Sequence, residues 1–173
     1  DNGYIAMQVS GLEVFPGAGL TDSGLRKDLP KIKIHPGMSW KHADRNGEFE
    51  LHTLRFLSPI WGRFFETEDQ KYIEEVVVYL KSWHNSIYTQ KSNFYWYDMA
   101  VGIRAMHISL LINLSQLYPL SDADVVFFRK IASEHVQNLV NPRNLGHGNH
   151  AIYQLIGLKS LLLATSCNRA SYY

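Results

Sequence analysis

The sequence predicts an all-α fold on three observations. Apolar residues recur at three- and four-residue steps through most of the chain after Glu48, the segments carrying this period are joined by short polar connections, and no strand-rich region competes with them. Helices of similar length in alternation are what a layered array of α/α hairpins produces. An ordinary helical bundle leaves the same pattern.

Residues Asp1 to Asn46 are punctuated by Gly, Pro, Asp and Ser, as in Phe15-Pro16-Gly17, Leu29-Pro30 and His35-Pro36-Gly37, and hold no sustained helical period. Residues 1–46 are therefore expected to form an irregular N-terminal arm packed on a helical body of residues 47–173. Within the arm, Lys31-Ile32-Lys33-Ile34 is either a short strand or an extended strip.

From Glu48 onward, Leu51, Leu54, Leu57, Trp61, Phe64 and Phe65 lie on one helical face. Pro59 is expected to kink or divide that helix. Thr67, with Gln70 three residues later, has the spacing of a capping box and opens a second helix with the stripe Tyr72, Ile73, Val76, Leu80 and Trp83. Asn93 to Tyr97 reads as a polar-aromatic turn. A third helix carries Ile103, Met106, Leu110, Leu111, Leu114 and Leu117 and stops at Tyr118-Pro119. Ser121 and Asp122 open a fourth, with Val125, Phe128, Ala132, His135, Val136 and Leu139, ending before Asn141-Pro142. After the polar loop Asn141 to Gly148, a fifth helix begins near Asn149 and is expected to bury Ile152, Leu155, Ile156, Leu158, Leu162 and Leu163.

Composition narrows the partners. The chain of 173 residues has 17 Lys+Arg against 16 Asp+Glu, a net charge of +1, and 46% hydrophobic residues, the profile of one soluble folded domain. Without a basic run, neither nucleic acid nor an anionic membrane is an expected partner. The apolar stretch Met99 to Leu117 is interrupted by Arg104, His107 and Asn113 and reads as a buried helix rather than a membrane span. The single Cys167 excludes an internal disulfide and a multi-cysteine metal knuckle, and is expected to be a packing residue. With a start at Asp1 and neither Met nor an apolar leader, the chain is expected to be either a processed protein or an excised piece of one. Aromatic residues make up 13% of the chain, and their flat faces suit a thick helical core or a sugar-stacking groove.

Chemistry concentrates in two places. In Gly146-His147-Gly148-Asn149-His150, two imidazoles and an amide are delivered to a helix N-terminus, where unpaired backbone donors and the helix dipole favour a carboxylate. The alternative is that Asn149 only caps the helix and the histidines satisfy nearby carbonyls. Two histidines three residues apart fall short of a metal site, so no metal ligands are expected. GxSxG, Walker A and GxGxxG patterns are all missing, which leaves hydrolase, nucleotide and dinucleotide readings without a motif. In Asn93-Phe94-Tyr95-Trp96-Tyr97-Asp98, followed by Arg104, four consecutive aromatics precede a cation that must pair with a carboxylate or snorkel. Asp98 is its nearest partner in sequence, and a buried structural contact of Arg104 to a carboxylate or a carbonyl outweighs direct contact with a substrate.

Three segments together resemble the helical N-terminal domain of the heparinase II/III-like polysaccharide lyases, a group that includes oligoalginate lyases. They are Glu50-Leu51-His52-Thr53-Leu54-Arg55-Phe56; Leu80-Lys81-Ser82-Trp83 through Trp96, Tyr97, Met99, Ala100, Ile103 and Arg104; and Gly148-Asn149-His150-Ala151-Ile152-Tyr153-Gln154-Leu155-Ile156-Gly157-Leu158. The resemblance runs from about Gly37 to Ala164. It implies an incomplete (α/α) toroid of antiparallel helical hairpins that cleaves uronic-acid-containing glycans by β-elimination and needs no cofactor. In that family the amide matching Asn149 neutralises the uronate carboxylate and the imidazole matching His150 helps to remove the adjacent proton. His147, Trp96, Tyr97, Tyr153 and Arg104 would then contact an acidic polysaccharide or oligosaccharide. A tyrosine that commonly serves as acid is expected beyond Tyr173; Tyr172 and Tyr173 are too close to His150 for that role and Tyr153 is a weak substitute. The family's C-terminal β-sandwich is likewise expected to be missing from this chain, so the resemblance leaves open whether the chain is active alone. A periplasmic or secreted location follows from the same resemblance. Other readings are a non-catalytic glycan-binding module and a protein-interaction helical module.

Overall fold

A computed structural model of the chain describes residues 32–167. The arm up to Lys31, the Cys167 side chain, Tyr172 and Tyr173 lie outside the described residues. Six α-helices occur among the described residues: α1 (Arg45–Thr53), α2 (Ser58–Thr67), α3 (Lys71–Thr89), α4 (Asp98–Leu114), α5 (Asp122–Leu139) and α6 (Asn149–Cys167). No strand occurs among these residues. Residues 32–44 hold no helix, with Met38 and Trp40 buried and Ile32 and Ile34 packed against the core as an extended strip.

Local chemistry accounts for most helix ends. Asp44 caps α1 by accepting from Gly47 N at 2.8 Å, and Ser121 caps α5 by accepting from Asp124 N at 3.2 Å. The break after α1 falls at Leu54, which adopts left-handed backbone (φ 59°). Pro59 then sits in the first turn of α2, where a missing N–H costs nothing, so it opens a helix rather than kinking one. The capping box expected at Thr67 and Gln70 is not made. Thr67 is the last residue of α2, its hydroxyl donates to Arg63 O, and Asp69 instead accepts from Lys71 N at 3.0 Å ahead of α3.

The core is built around α4, in which every residue from Ala100 to Ile112 is buried. Helix α3 turns Ile73, Val76, Leu80 and Trp83 inward, as its period predicts, and α5 turns in Phe128, Ala132, His135 and Leu139. Helix α4 ends at Leu114, a turn earlier than Tyr118-Pro119 suggests, and leaves Leu117 exposed.

Helices α4 and α6 run in the same direction: Asp98 faces His150, Gly102 faces Tyr153 and Gln154, and Ala105 faces Gly157. The 18 residues of α5, about 27 Å long, carry the chain back along the 17 residues of α4, about 25 Å. The three helices pack on one another as a single helix–return–helix unit. It also places the N-termini of α4 and α6 side by side.

The two parallel helices touch through their backbones. A Cβ built on Gly102 would stand 2.5 Å from the carbonyl of Tyr153, and one on Gly157 would strike the Gly102 carbonyl. This contact sets the buried face of α6, which is Gln154, Gly157, Leu161 and Ala164. The expectation that Ile152, Leu155, Ile156, Leu162 and Leu163 are buried is therefore corrected: Ile152 and Leu155 are each 57% exposed, and Leu158 is half-buried. Apolar residues occupy nearly all sides of this helix, so period alone cannot choose a face, and close approach selects the small ones. Gly157→Ala is expected to cost about 1–3 kcal/mol in urea unfolding, because the obstructing atoms are backbone and cannot rotate away. A change within about 0.5 kcal/mol of the parent would contradict the close approach.

Candidate functional site

The adjoining N-termini of α4 and α6 gather the chemistry. Asp98 is the first residue of α4, and both of its carboxylate oxygens lie 3.1 Å from His150 Nδ1. A carboxylate only accepts, so Nδ1 carries the proton and donates it to Asp98. That fixes the ring's orientation and leaves Nε2, which has no hydrogen bond among the described residues, as the free basic atom. Gly146 is required next to this pair, since a Cβ there would lie 2.5 Å from Asp98 Oδ2 and 2.9 Å from His150 Cβ.

Gln154, one turn into α6 and buried, holds the preceding loop from below. Its Oε1 accepts from Gly146 N at 2.7 Å and its Nε2 donates to Asn144 O at 2.8 Å. Gly148 (φ 59°) then turns the chain into the helix. Asn149 is exposed, and its amide makes no hydrogen bond among the described residues, so it is not spent on capping. His147 is exposed and His150 is half-buried. An uncommitted amide, an oriented imidazole and the positive end of a helix thus share one surface, an arrangement able to hold a carboxylate and accept a proton beside it.

Of the other predicted residues, Tyr97 belongs to this group. Its ring centroid is 6.2 Å from that of His150, 5.8 Å from Phe49 and 5.3 Å from Phe94. Trp96 packs elsewhere, against His135 at 5.2 Å and Trp83 at 6.5 Å. Tyr153 is half-buried against the core.

Arg104 is corrected outright as a ligand contact. It is fully buried, with Nη1 donating to His52 O, Nη2 to Tyr95 O and Nε to His135 Nε2 at 3.3 Å, and its guanidinium stands 4.2 Å over the Trp83 ring. Its partners are carbonyls and a neutral imidazole, not Asp98, because the Asp98 carboxylate is taken by His150. Burial lowers its pKa to about 9, which still leaves it charged at neutral pH. Through the Tyr95 carbonyl, Arg104 pins the turn that carries Tyr97 and Asp98.

Three buried imidazoles, two of them beside Arg104, are uncharged. Burial, then the Arg104 charge, lowers His52 to about 3 and holds His135 well below its ordinary value; burial, then Arg55, lowers His107 to about 3. Each is used as an acceptor: His52 Nδ1 takes Trp83 Nε1–H at 3.1 Å and His107 Nδ1 takes Trp61 Nε1–H at 3.2 Å.

Asp98 and Gln154 are the site residues that sequence reasoning missed. Asp98 lies 52 residues from His150, and its nearness to Arg104 along the chain pointed to the wrong partner. Gln154, a polar residue within the apolar first half of its helix and four residues after His150, carried a visible signal.

Among the described residues, no helix is long and apolar enough to cross a membrane. No curated protein and no solved structure matches the chain. A family model described as the heparinase II/III N-terminus matches residues 22–162, which include every residue of this site.

Proposed function

The chain belongs to the heparinase II/III N-terminal family, and on that premise we propose that it provides the helical part of a polysaccharide lyase site acting on uronic-acid-containing glycans. The hydrogen next to a uronate carboxylate is barely acidic while that carboxylate keeps its full charge. Asn149, at the N-terminus of α6, donates to the carboxylate and spreads its charge, and the helix dipole reinforces it. His150, held by Asp98, assists removal of the proton through Nε2. The electron pair released forms the double bond as the glycosidic carbon–oxygen bond breaks, and a tyrosine returns a proton to the leaving oxygen. His147, Tyr97 and Tyr153 contact the sugar.

The observation that carries this reading is the uncommitted Asn149 amide beside the Asp98–His150 pair. In the same reading α4, α5 and α6 are part of an incomplete (α/α) toroid, the partner is an acidic polysaccharide or oligosaccharide met in the periplasm or outside the cell, and a C-terminal β-sandwich closes the cleft.

Ultraviolet absorbance of the unsaturated uronate product is the test, with heparan sulfate, alginate and hyaluronan in parallel. A rise that Asn149→Ala abolishes supports elimination at this site. A flat trace with glycan binding retained supports a non-catalytic binding module instead. Asp98→Asn is expected to lower turnover, or glycan affinity where there is no turnover, by about tenfold or more while leaving the melting temperature nearly unchanged, because it removes the negative charge that keeps the proton on Nδ1 and lets an amide NH2 face the ring instead. Unchanged kinetics and affinity in that variant would remove the orienting role.

A further inference from the structure

A groove of about 710 Å³ lies on the far side of Tyr97, between residues 41–48 and residues 87–97. Its size is that of a small-ligand site. Lys41, Arg45 and Lys91 line it, all exposed and none in an ion pair among the described residues. Glu48 is the one carboxylate in the lining, half-buried and turned toward the His42 backbone N–H at 3.5 Å. In a chain of net charge +1, three unpaired cations around one depression are a local excess rather than a general one. The floor is aromatic: the Arg45 guanidinium stands 5.3 Å over the Phe94 ring, and Phe94 and Tyr97 meet edge to face at 5.3 Å. The stacking holds Arg45 in place without consuming its N–H donors.

We propose that this groove is a second subsite, which holds an acidic sugar residue of the same glycan chain that presents its uronate to Asn149. The inference rests on the proposed function and extends it. An apolar sugar face lies on Tyr97, and a carboxylate or sulfate ester meets Lys41, Arg45 and Lys91. Tyr97, whose ring also stands beside that of His150, is the wall common to the two subsites. The preferred ligand is accordingly an oligosaccharide charged on more than one residue, longer than the single uronate that Asn149 and His150 recognise.

Calorimetric titration of the full chain separates the two subsites. The probes are glucuronate, a hyaluronan tetrasaccharide charged by carboxylates alone, a sulfated heparan tetrasaccharide and a short single-stranded oligonucleotide. The variants are the triple Lys41→Gln, Arg45→Gln, Lys91→Gln, whose sites are exposed, and Asn149→Ala. The triple variant is expected to bind the tetrasaccharides about tenfold more weakly, with a shallower dependence on salt, and glucuronate unchanged. Loss confined to the sulfated probe assigns the groove to sulfate esters, and loss with both assigns it to either anion. Tetrasaccharide affinity unaffected by the triple substitution overturns the subsite even when Asn149→Ala weakens glucuronate. Affinity unaffected by Asn149→Ala, with loss in the triple variant, instead overturns the Asn149 reading and leaves an acidic-sugar groove. An oligonucleotide that binds as tightly as the tetrasaccharides makes the groove a general polyanion patch and overturns the proposal, as does a parent chain that binds neither tetrasaccharide.

Discussion

Taking the chain from pH 7 to pH 5 is expected to lower its stability by about 4–6 kcal/mol, and the cause lies in three imidazoles. Unfolded, each titrates near 6.5. Folded, His52 and His107 titrate at about 3 and His135 well below its ordinary value, because burial excludes the charged form and Arg104 or Arg55 opposes it. Between those values the unfolded chain binds more protons than the folded one, so stability falls as pH falls through the window and levels off only below about 3. A fully displaced histidine contributes about 1.4 kcal/mol per pH unit, and three together about 4, against a whole-domain stability of roughly 5–15 kcal/mol. Urea midpoints at pH 7, 6 and 5 measure this directly. His107→Gln keeps an acceptor for the Trp61 N–H but cannot be charged, so it is expected to reduce the steepness by about a third. A stability that stays flat from pH 7 to 5 would contradict the assignment of these rings as buried and neutral.

Arg104→Met is expected to cost about 3 kcal/mol or more, although the replacement is nearly as long and entirely apolar. It leaves the carbonyls of His52 and Tyr95 and the Nε2 of His135 without their donor, and each buried group so orphaned costs about 1–3 kcal/mol. Arg104→Lys does not restore this, since one ammonium cannot serve three acceptors arranged as a fork. Two further readouts distinguish this from a simple loss of packing. The acid-sensitive limb becomes shallower, because the charge that helps to depress His52 and His135 has gone, and glycan affinity falls because the Tyr95 carbonyl no longer anchors the turn that carries Tyr97 and Asp98. A stable variant with an unaltered pH profile would overturn the role given to Arg104.

Where structure depends on nearby residues, it was legible in the sequence. The inward stripe of α3, the Ser121 cap of α5 and the start of α6 at Asn149 follow from period and capping chemistry over a few positions. The left-handed turn at Leu54 was not, because neither Gly nor Pro marks it and packing imposes it. The buried face of α6 was missed for a related reason: the decisive contact is backbone against backbone with α4, and hydrophobicity says nothing about Gly157. In the site, the helix N-terminus with Asn149 and His150 was visible, as was Tyr97. Its completion by Asp98 depends on α4 and α6 running parallel with α5 as the return, a relation that no local pattern encodes.

The central claim is that the start of α6 receives a uronate carboxylate through Asn149, beside an imidazole oriented by Asp98. Its most direct test is an NMR titration of the chain with a glucuronate-containing disaccharide, comparing the parent with Asn149→Ala and recording the melting temperature of both. The account predicts saturable shifts at Asn149, His150 and Tyr97 in the parent, an affinity at least about tenfold weaker in the variant, and nearly equal melting temperatures, since the exposed amide has no partner among the described residues. Equal affinity in the two proteins would contradict it. So would a stability loss in the range of about 0.5–2 kcal/mol typical of a removed N-cap, because Asn149 would then be serving the helix rather than the glycan.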